Sequence, residues 1–340
     1  MVGAGAFGRN HLRVWRELER SGAPLHLSGI VEPDPSATSA LAREYGIPIY
    51  SSVRELLSSQ PVPDAASVAV PTAQHADVAS QLLAAGVDVL LEKPFTSTLE
   101  QADALINLAE RHSRILQIGH LERFNPAVRA VLPLAHRPLF FEVHRLSIFT
   151  PRSLDIDVVL DLMIHDLDIV LSLVRSPVRE LHAVGLPVLS SKVDIANVRI
   201  EFVSGCVANF TASRVSTERV RKMRFFQPHQ YISVDYARQD VLCVDVAALR
   251  ADAQREPSGP GASELRFHPA ELRHPTPELA MRKLNLPSGE PLRLELEAFL
   301  SAVRERTAPQ VSAQDGRAAL AIALDILAAI QAHQARAGLA

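Results

Sequence analysis

The sequence predicts an α/β protein in two parts: a doubly wound parallel sheet first, then a C-terminal α/β part built on an open antiparallel sheet. Three observations carry this. Short apolar runs alternate with helix-like stretches through the first third, the rhythm of parallel strands joined by crossover helices. Beyond Pro126 the runs lengthen and alternate, as antiparallel strands with one covered face do. A glycine-rich turn stands at the very start, where a doubly wound sheet places its first loop.

Each element follows from local signals. Leu27 to Val31 reads as a strand and Pro35 to Tyr45 as the helix after it. Ala65 to Val70 is a buried strand ended by Pro71, and His75 to Ala85 has helical spacing that stops at Gly86. Val87 to Leu91 is a strand, Leu99 to Arg111 a helix, and Ile115 to Ile118 a strand closing at Gly119. Four longer strands are expected at Leu139 to Phe149, Val193 to Val203, Cys206 to Arg214 and Phe225 to Val234. A helix from Val158 to Val174 lies among them, and Glu295 to Arg304 and Ala313 to Gln334 form closing helices. Ala251 to Leu284, rich in Pro, Glu and Arg, reads as a surface loop. The boundary falls between Gly119 and Asn125, giving domains at 1–121 and 122–340.

Bulk properties narrow the function classes. A chain of 340 residues with 47% hydrophobic residues can bury two cores. A formal net charge of −3 offers no general attraction for nucleic acid or an anionic membrane. The two cysteines, Cys206 and Cys243, form no Cys-x-x-Cys pair, and the 13 histidines show no metal-ligand spacing, so no metal is expected. No secretory signal is visible, and charged residues or prolines interrupt each apolar run before the roughly 20 residues of a membrane span. A soluble, cytoplasmic chain is the expectation.

Gly3-Ala-Gly5-Ala6-Phe7-Gly8 has the spacing of a dinucleotide-binding turn: a tight turn, a backbone open to pyrophosphate, and a close helix contact. Glu32 ends a strand about 24 residues beyond Gly8, where a carboxylate would hold ribose hydroxyls. Its other reading is a solvated turn residue before Pro33. A carboxylate there repels a 2′-phosphate, which favours NAD over NADP, with Arg9 and Arg43 as cations that would weaken the preference. Met1 leaves almost no strand before Gly3, so either the start falls late or the first strand is unusually short.

Further candidates lie at strand exits. Pro71, Thr72 and His75 would stand near the cofactor, or Thr72 would simply cap the next helix. Lys93, in Glu92-Lys93-Pro94, would hydrogen-bond a substrate oxygen, or be a solvated strand-end lysine. Asp161 and His165, four apart on a helix, share one face with Asp168 close by; His165 would take a hydroxyl proton while Asp161 orients it, or the histidine belongs to a structural network. Gly119 to Pro126 offers Arg123 and Asn125 to a substrate pocket, or forms a hinge. Arg214, Arg219, Arg221, Lys222 and Arg224 would meet a phosphorylated substrate, or form a solvated loop.

Taken together, the glycine turn, Pro71 to His75, Glu92-Lys93-Pro94, Arg123-Phe124, Asp161 to His165 and the closing helices resemble the Gfo/Idh/MocA oxidoreductases almost end to end. The resemblance implies a Rossmann domain that binds NAD, then a substrate and oligomerisation domain, in enzymes acting on sugars and cyclitols as homodimers or homotetramers. It matches Lys93, Asp161 and His165 to the family's catalytic lysine, aspartate and histidine, puts Glu92 and Lys93 beside the cofactor, and makes the Lys93-Pro94 peptide cis. It leaves Arg123, Asn125, Asp168 and Arg214 for substrate. Glu122-Arg-Phe-Asn-Pro126, Arg214-Val-Ser-Thr, Phe225-Phe-Gln-Pro and Tyr231-Ile-Ser are similar to a bacterial subgroup oxidising the 3-hydroxyl of UDP-N-acetylglucosamine. An enzyme of a free sugar or cyclitol, and a non-catalytic NAD-binding sensor, are the alternatives.

Overall fold

Val2 is the pivot of the first sheet, bridging in parallel to Val31 on one side and Val68 on the other. Its N–H donates to Ser67 O at 2.8 Å, and Met1 O accepts from the Val31 N–H at 2.8 Å. The segment at Met1 and Val2 is therefore central to the sheet. The structure is a computed structural model that describes residues 1–150, 156–246, 266–267 and 279–338. Two units divide it: 1–121 with 290–320, and 122–289 with 321–340.

The first unit alternates helices and strands in the expected order: α1 (Ala6–Arg20), β1 (Ile30–Val31), α2 (Pro35–Tyr45), β2 (Ile49–Tyr50), α3 (Val53–Ser58), β3 (Ala65–Val68), α4 (Thr72–Ala84), β4 (Asp88–Glu92), α5 (Leu99–Arg111) and β5 (Leu116–Gly119). β1 pairs with β2, β3 with β4, and β4 with β5, all parallel. With Val2 between β1 and β3, the order is β2-β1-Val2-β3-β4-β5, a doubly wound sheet. The strand expected from Leu27 pairs only at Ile30–Val31. Helix ends obey local chemistry: Asp34 accepts the Ser36 N–H at 2.9 Å to start α2, and Gly46, at φ 65, ends it.

The second unit carries α6 (Pro126–Val131), β6 (Phe140–Ile148), α7 (Ile164–Val174), β7 (Val178–Leu186), β8 (Ile195–Phe202), β9 (Val207–Ser216), β10 (Val220–Gln227), β11 (Gln230–Asp235), β12 (Asp240–Val246), β13 (Arg266–Phe267) and β14 (Leu279–Asn285). Among the described residues these strands form one sheet ordered β13-β14-β12-β11-β10-β6-β9-β8-β7. Every pairing is antiparallel except β6 with β9, which is parallel. Alternation explains the covered face: Phe141, Val143, Val198, Ile200, Ala208, Phe210, Met223 and Phe225 are buried, while their neighbours are half-buried or exposed.

Several expectations change. Phe225 to Val234 is a hairpin, β10 and β11, turned at Pro228-His229 with His229 at φ 62. The helix expected from Val158 begins with a π-helical turn, Val159–Met163, before α7. Within the expected loop 251–284, residues 279–284 belong to β14 and 266–267 form β13, while 251–265 and 268–278 lie outside the described residues. The region 122–340 is not one unit, because 290–320 belongs to the first. There, α8 (Pro291–Glu305) lays Leu292, Leu296, Phe299 and Ala302 against Val14 and Leu18 of α1, Leu90 and Ile115. The final helix, α9 (Ala313–Arg336), is by length and composition apolar enough to cross a membrane, contrary to expectation. It carries Asp315, Arg317 and Asp325, and buries Ala319, Leu320, Ala323, Ile326 and Ile330 in protein. Both cysteines are free and buried, and burial pushes each thiol up to about 12.

Candidate active site

The first unit holds a cradle at the carboxyl ends of its strands. Gly3 sits at φ 83, and a Cβ there would lie 2.7 Å from Ala69 O, so only glycine fits. A Cβ on Gly8 would come within 2.1 Å of Gly3 O, which makes Gly8 the close helix contact. Gly5 is the N-cap of α1, no side chain caps that end, and a Cβ added at Gly5 meets nothing within 4 Å. The leading N–H groups of Ala6 and Phe7 thus open to a side where an anion can approach the helix dipole. This arrangement fits a dinucleotide pyrophosphate.

Glu32 is half-buried and accepts a hydrogen bond on each carboxyl oxygen. Its Oε2 accepts the Ala4 N–H at 2.9 Å and its Oε1 the Asp34 N–H at 3.1 Å, tying the glycine turn to the end of β1. The two cations that would have favoured a 2′-phosphate have other contacts: Arg9 lies 3.7 Å from Glu44, and Arg43 Nε donates to Ser39 O at 3.2 Å. The Thr72 capping alternative does not hold, since Pro71 is the N-cap of α4 and no side chain caps that end.

His75 and Glu92 face inward. His75 is buried, with Nδ1 2.9 Å from Pro94 O and 3.2 Å from Phe95 O, and Nε2 3.0 Å from Val70 O. Burial holds its pKa below the ordinary histidine value, against these carbonyls, which pull the other way. The neutral imidazole, with its single N–H, donates to one of these carbonyls and packs between the turn after β3 and the turn after β4. Glu92 Oε1 lies 3.0 Å from His11 Nε2, its Oε2 accepts the Lys93 N–H at 3.2 Å, and both residues are buried. Lys93 is half-buried, and the Lys93-Pro94 peptide is cis.

The second unit carries Asp161 and His165, both half-buried, one inside the π-helical turn and the other just after it. Such turns recur at functional sites because they re-aim side chains within a helix. The entry to this helix is braced: Val158 N–H donates to Val193 O at 2.9 Å, and Asp157 Oδ1 accepts the Val193 N–H at 2.9 Å.

Four residues expected at the substrate have hydrogen-bond partners within the second unit. Arg123 and Asp168 form a bidentate pair, Nε to Oδ2 at 2.6 Å and Nη2 to Oδ1 at 2.8 Å. Asn125 is buried; its Oδ1 caps α6 by accepting the Ala127 N–H at 3.0 Å, and its Nδ2 donates to Tyr236 O at 3.0 Å. Arg214 is buried, donates to Ile156 O and lies 3.5 Å from Asp194, so it steadies the approach to Val158. The basic run does not converge on one spot: Lys222 faces Asp235 at 3.8 Å and Arg224 faces Glu142 at 3.8 Å.

The sequence reading missed a buried ion cluster. Arg145 binds Asp166 through Nε at 2.6 Å and Nη2 at 2.9 Å, and Glu122 through Nη2 at 2.9 Å, with its guanidinium 5.3 Å from the Tyr236 ring. Burial opposes the charge on Arg145, but the two carboxylates outweigh it and raise its pKa further. The alternation of β6 could have flagged it, since Arg145 has the parity of the buried Phe141 and Val143.

The parallel order and the glycine cradle are those of a dinucleotide-binding Rossmann domain. Residues 1–120 match the model of the oxidoreductase family with an NAD-binding Rossmann fold, and residues 137–228 match the Gfo/Idh/MocA C-terminal domain. The chain belongs to the Gfo/Idh/MocA family. It is 34% identical over 337 residues, 99% of this chain and 98% of the other, to UDP-N-acetylglucosamine 3-dehydrogenase of Acidithiobacillus ferrooxidans. The solved structure of that enzyme, GnnA, superposes with a TM-score of 0.82 at 32% identity, covering 97% of this chain and 96% of that one. WlbA dehydrogenase of Bordetella pertussis, solved with NADH and UDP-GlcNAcA, is 16% identical with a TM-score of 0.74 over 97% of this chain and 95% of that one, a likeness of fold alone.

Proposed function

We propose that the protein is an NAD-dependent dehydrogenase oxidising the 3-hydroxyl of a UDP-N-acetylhexosamine, UDP-N-acetylglucosamine, to the 3-keto sugar. The observation carrying this is the near full-length likeness to an enzyme named for that reaction; the resemblance read from the sequence assigns Lys93, Asp161 and His165 as its catalytic residues. Bound NAD⁺ would supply the acceptor for the hydride leaving the sugar carbon. Met1 to Gly8 and Glu32 would hold the dinucleotide, the turn by its open N–H groups and Glu32 by its carboxylate. His165 would take the hydroxyl proton, Asp161 would orient the imidazole, and Lys93 would steady the oxygen as it becomes a carbonyl. Arg123 and Asp168 serve the substrate indirectly in this reading, by fixing the frame around α7.

A homodimer or homotetramer built through the open face of the nine-stranded sheet belongs to the same reading. On that face the partly exposed Phe226 ring lies 5.7 Å from Phe140 and 5.1 Å from Tyr231, centroid to centroid, in tilted contacts. Light scattering on the purified protein measures it; a monomer at working concentration removes it. A cytoplasmic location follows from the cofactor and the nucleotide-sugar substrate.

Absorbance of NADH tests the chemistry, with UDP-N-acetylglucosamine, free N-acetylglucosamine and inositol offered in parallel. Response to the nucleotide sugar supports the reading, and response only to inositol replaces it with a cyclitol dehydrogenase. Cofactor binding without turnover on any of them leaves a sensor. Replacing His165 by Ala should abolish turnover while NAD still binds.

A further inference from the structure

Helix α8 carries an acid on its apolar stripe. Its buried positions are Leu292, Glu295, Leu296, Phe299 and Ala302, the i, i+3, i+4, i+7 spacing of a core-facing helix. Glu295 is fully buried, and neither of its carboxyl oxygens has a hydrogen-bond partner. Burying a charge without a partner is among the costliest things a fold can do. The acid therefore needs an explanation.

Its surroundings supply one. Leu90 of β4 packs with Leu292, Leu296 and Phe299 of α8 and with Val14 and Leu18 of α1. Leu90 pairs in register with Gln117 of β5, and Glu92 with Gly119, so all four positions belong to one face of the sheet. A Cβ on Gly119 would come within 2.6 Å of Glu92 Oε1, which puts the Glu92 carboxylate over that same face. His11, from the buried side of α1, meets Glu92 there. Gln117 is fully buried, and neither its amide oxygen nor its nitrogen has a partner. A polar layer thus lies inside this apolar interface, made of His11, Glu92, Gln117 and Glu295.

Two carboxylates in one water-poor layer do not both stay ionised. Glu92 is held by His11 and by the Lys93 N–H, whereas Glu295 has no such support. Burial first, and then the charge of Glu92, push the Glu295 carboxyl well above the usual carboxylate range.

We propose that Glu295 is a positioning residue that stays the neutral acid, leaving Glu92 as the single carboxylate of this layer and so fixing the Glu92-Lys93 corner. The titratable groups facing it are Glu92 from β4 and His11 from α1. From β5 the facing positions are Gln117 and Gly119, with His120 just beyond the strand, and its own helix presents Leu292, Leu296 and Phe299. The proposal rests on the dehydrogenase reading only for the role of Lys93.

The sign of the pH effect follows. The folded chain keeps a proton on Glu295 that the unfolded chain gives up near pH 4.3, so stability falls as pH rises from about 4 through the raised folded value. Infrared difference spectra of wild type minus Glu295→Gln should show a protonated-carboxyl band at neutral pH that the variant lacks. Thermal unfolding between about pH 5 and about pH 9 should decline in the wild type and stay flat in the variant. In Glu92→Gln the same band should titrate away at lower pH, because the neighbouring charge is gone. Turnover on the nucleotide sugar should lose activity on the alkaline side in the wild type, with that limb moved upward by about one pH unit or more in Glu295→Gln. A missing band, or identical pH dependence of unfolding in the two proteins, overturns the proposal. Should Glu295→Gln not fold, the wild-type band and its shift in Glu92→Gln decide it. An inactive enzyme on the nucleotide sugar would leave the infrared and unfolding results standing.

Discussion

The Ala4 N–H points at Glu32 Oε2 from 2.9 Å, so the glycine turn and the acidic end of β1 are one piece of structure. Replacing Glu32 by Gln keeps the shape but turns an ionised acceptor of two N–H groups into a neutral amide. Affinity for NADH should fall about tenfold, or about 1.4 kcal/mol, and the preference over NADPH should narrow. Fluorescence titration with both cofactors measures it, and unchanged preference would remove Glu32 from cofactor selection.

The glycines of the turn separate into structural and functional positions. Gly8→Ala drives a methyl into Gly3 O, so it should destabilise the chain by about 1–3 kcal/mol as overpacking does. Gly5→Ala meets no atom within 4 Å and should unfold like the wild type. It should nonetheless weaken NADH binding by blocking the approach to α1. Denaturant unfolding and cofactor titration on the two variants give opposite patterns if this is right.

Arg123 and Asp168 should behave as one unit. Truncating Arg123 to Ala leaves Asp168 buried and alone, at a cost of about 3–5 kcal/mol. Truncating both should cost less than the sum, and Arg123→Lys should recover only part, since lysine cannot make the two parallel bonds. Strict additivity in a double-mutant cycle would show that the pair does not brace α7.

Asp194 makes an acid-sensitive joint. Burial alone would raise its carboxyl, but the Ser190 hydroxyl and the N–H groups of Val188, Leu189 and Ser190 prevail and lower it to about 2. A lowered folded pKa gives stability that is present above about pH 4 and lost as pH falls toward 2, worth about 2 kcal/mol at neutral pH. Asp194→Asn should lose that much at neutral pH and show a weaker acid dependence, read by thermal melts from neutral to acid pH.

Legibility in the sequence followed the range of the signal. Helices α2 and α5 have the bounds expected, because Asp34-Pro35, Gly46 and Thr98 are local punctuation. The β10–β11 hairpin was hidden since its turn, Pro228-His229, holds neither glycine nor asparagine and is flanked closely by the strand-forming Phe225-Phe226 and Tyr231-Ile232. The catalytic candidates were legible as motifs. The internal partners of Arg123, Asn125 and Arg214 were not, because Asp168, Tyr236 and Ile156 lie 45, 111 and 58 positions away. Polar residues near a motif look alike on paper whether they touch substrate or each other. Glu295 was read only as the first residue of a helix; its burial depends on α1 and β4, far away in the chain.

The return of 290–320 to the first unit has a practical consequence for dissecting the enzyme. The backbone passes between the units at 121/122, 289/290 and 320/321, so no single cut liberates either. A gene fragment ending at residue 121 would encode every residue of the dinucleotide cradle and still leave Val14, Leu18, Leu90 and Ile115 stripped of Leu292, Leu296 and Phe299. Such a fragment should be recovered from inclusion bodies. A circularly permuted or spliced version that restores 290–320 is the minimal piece expected to stay in solution.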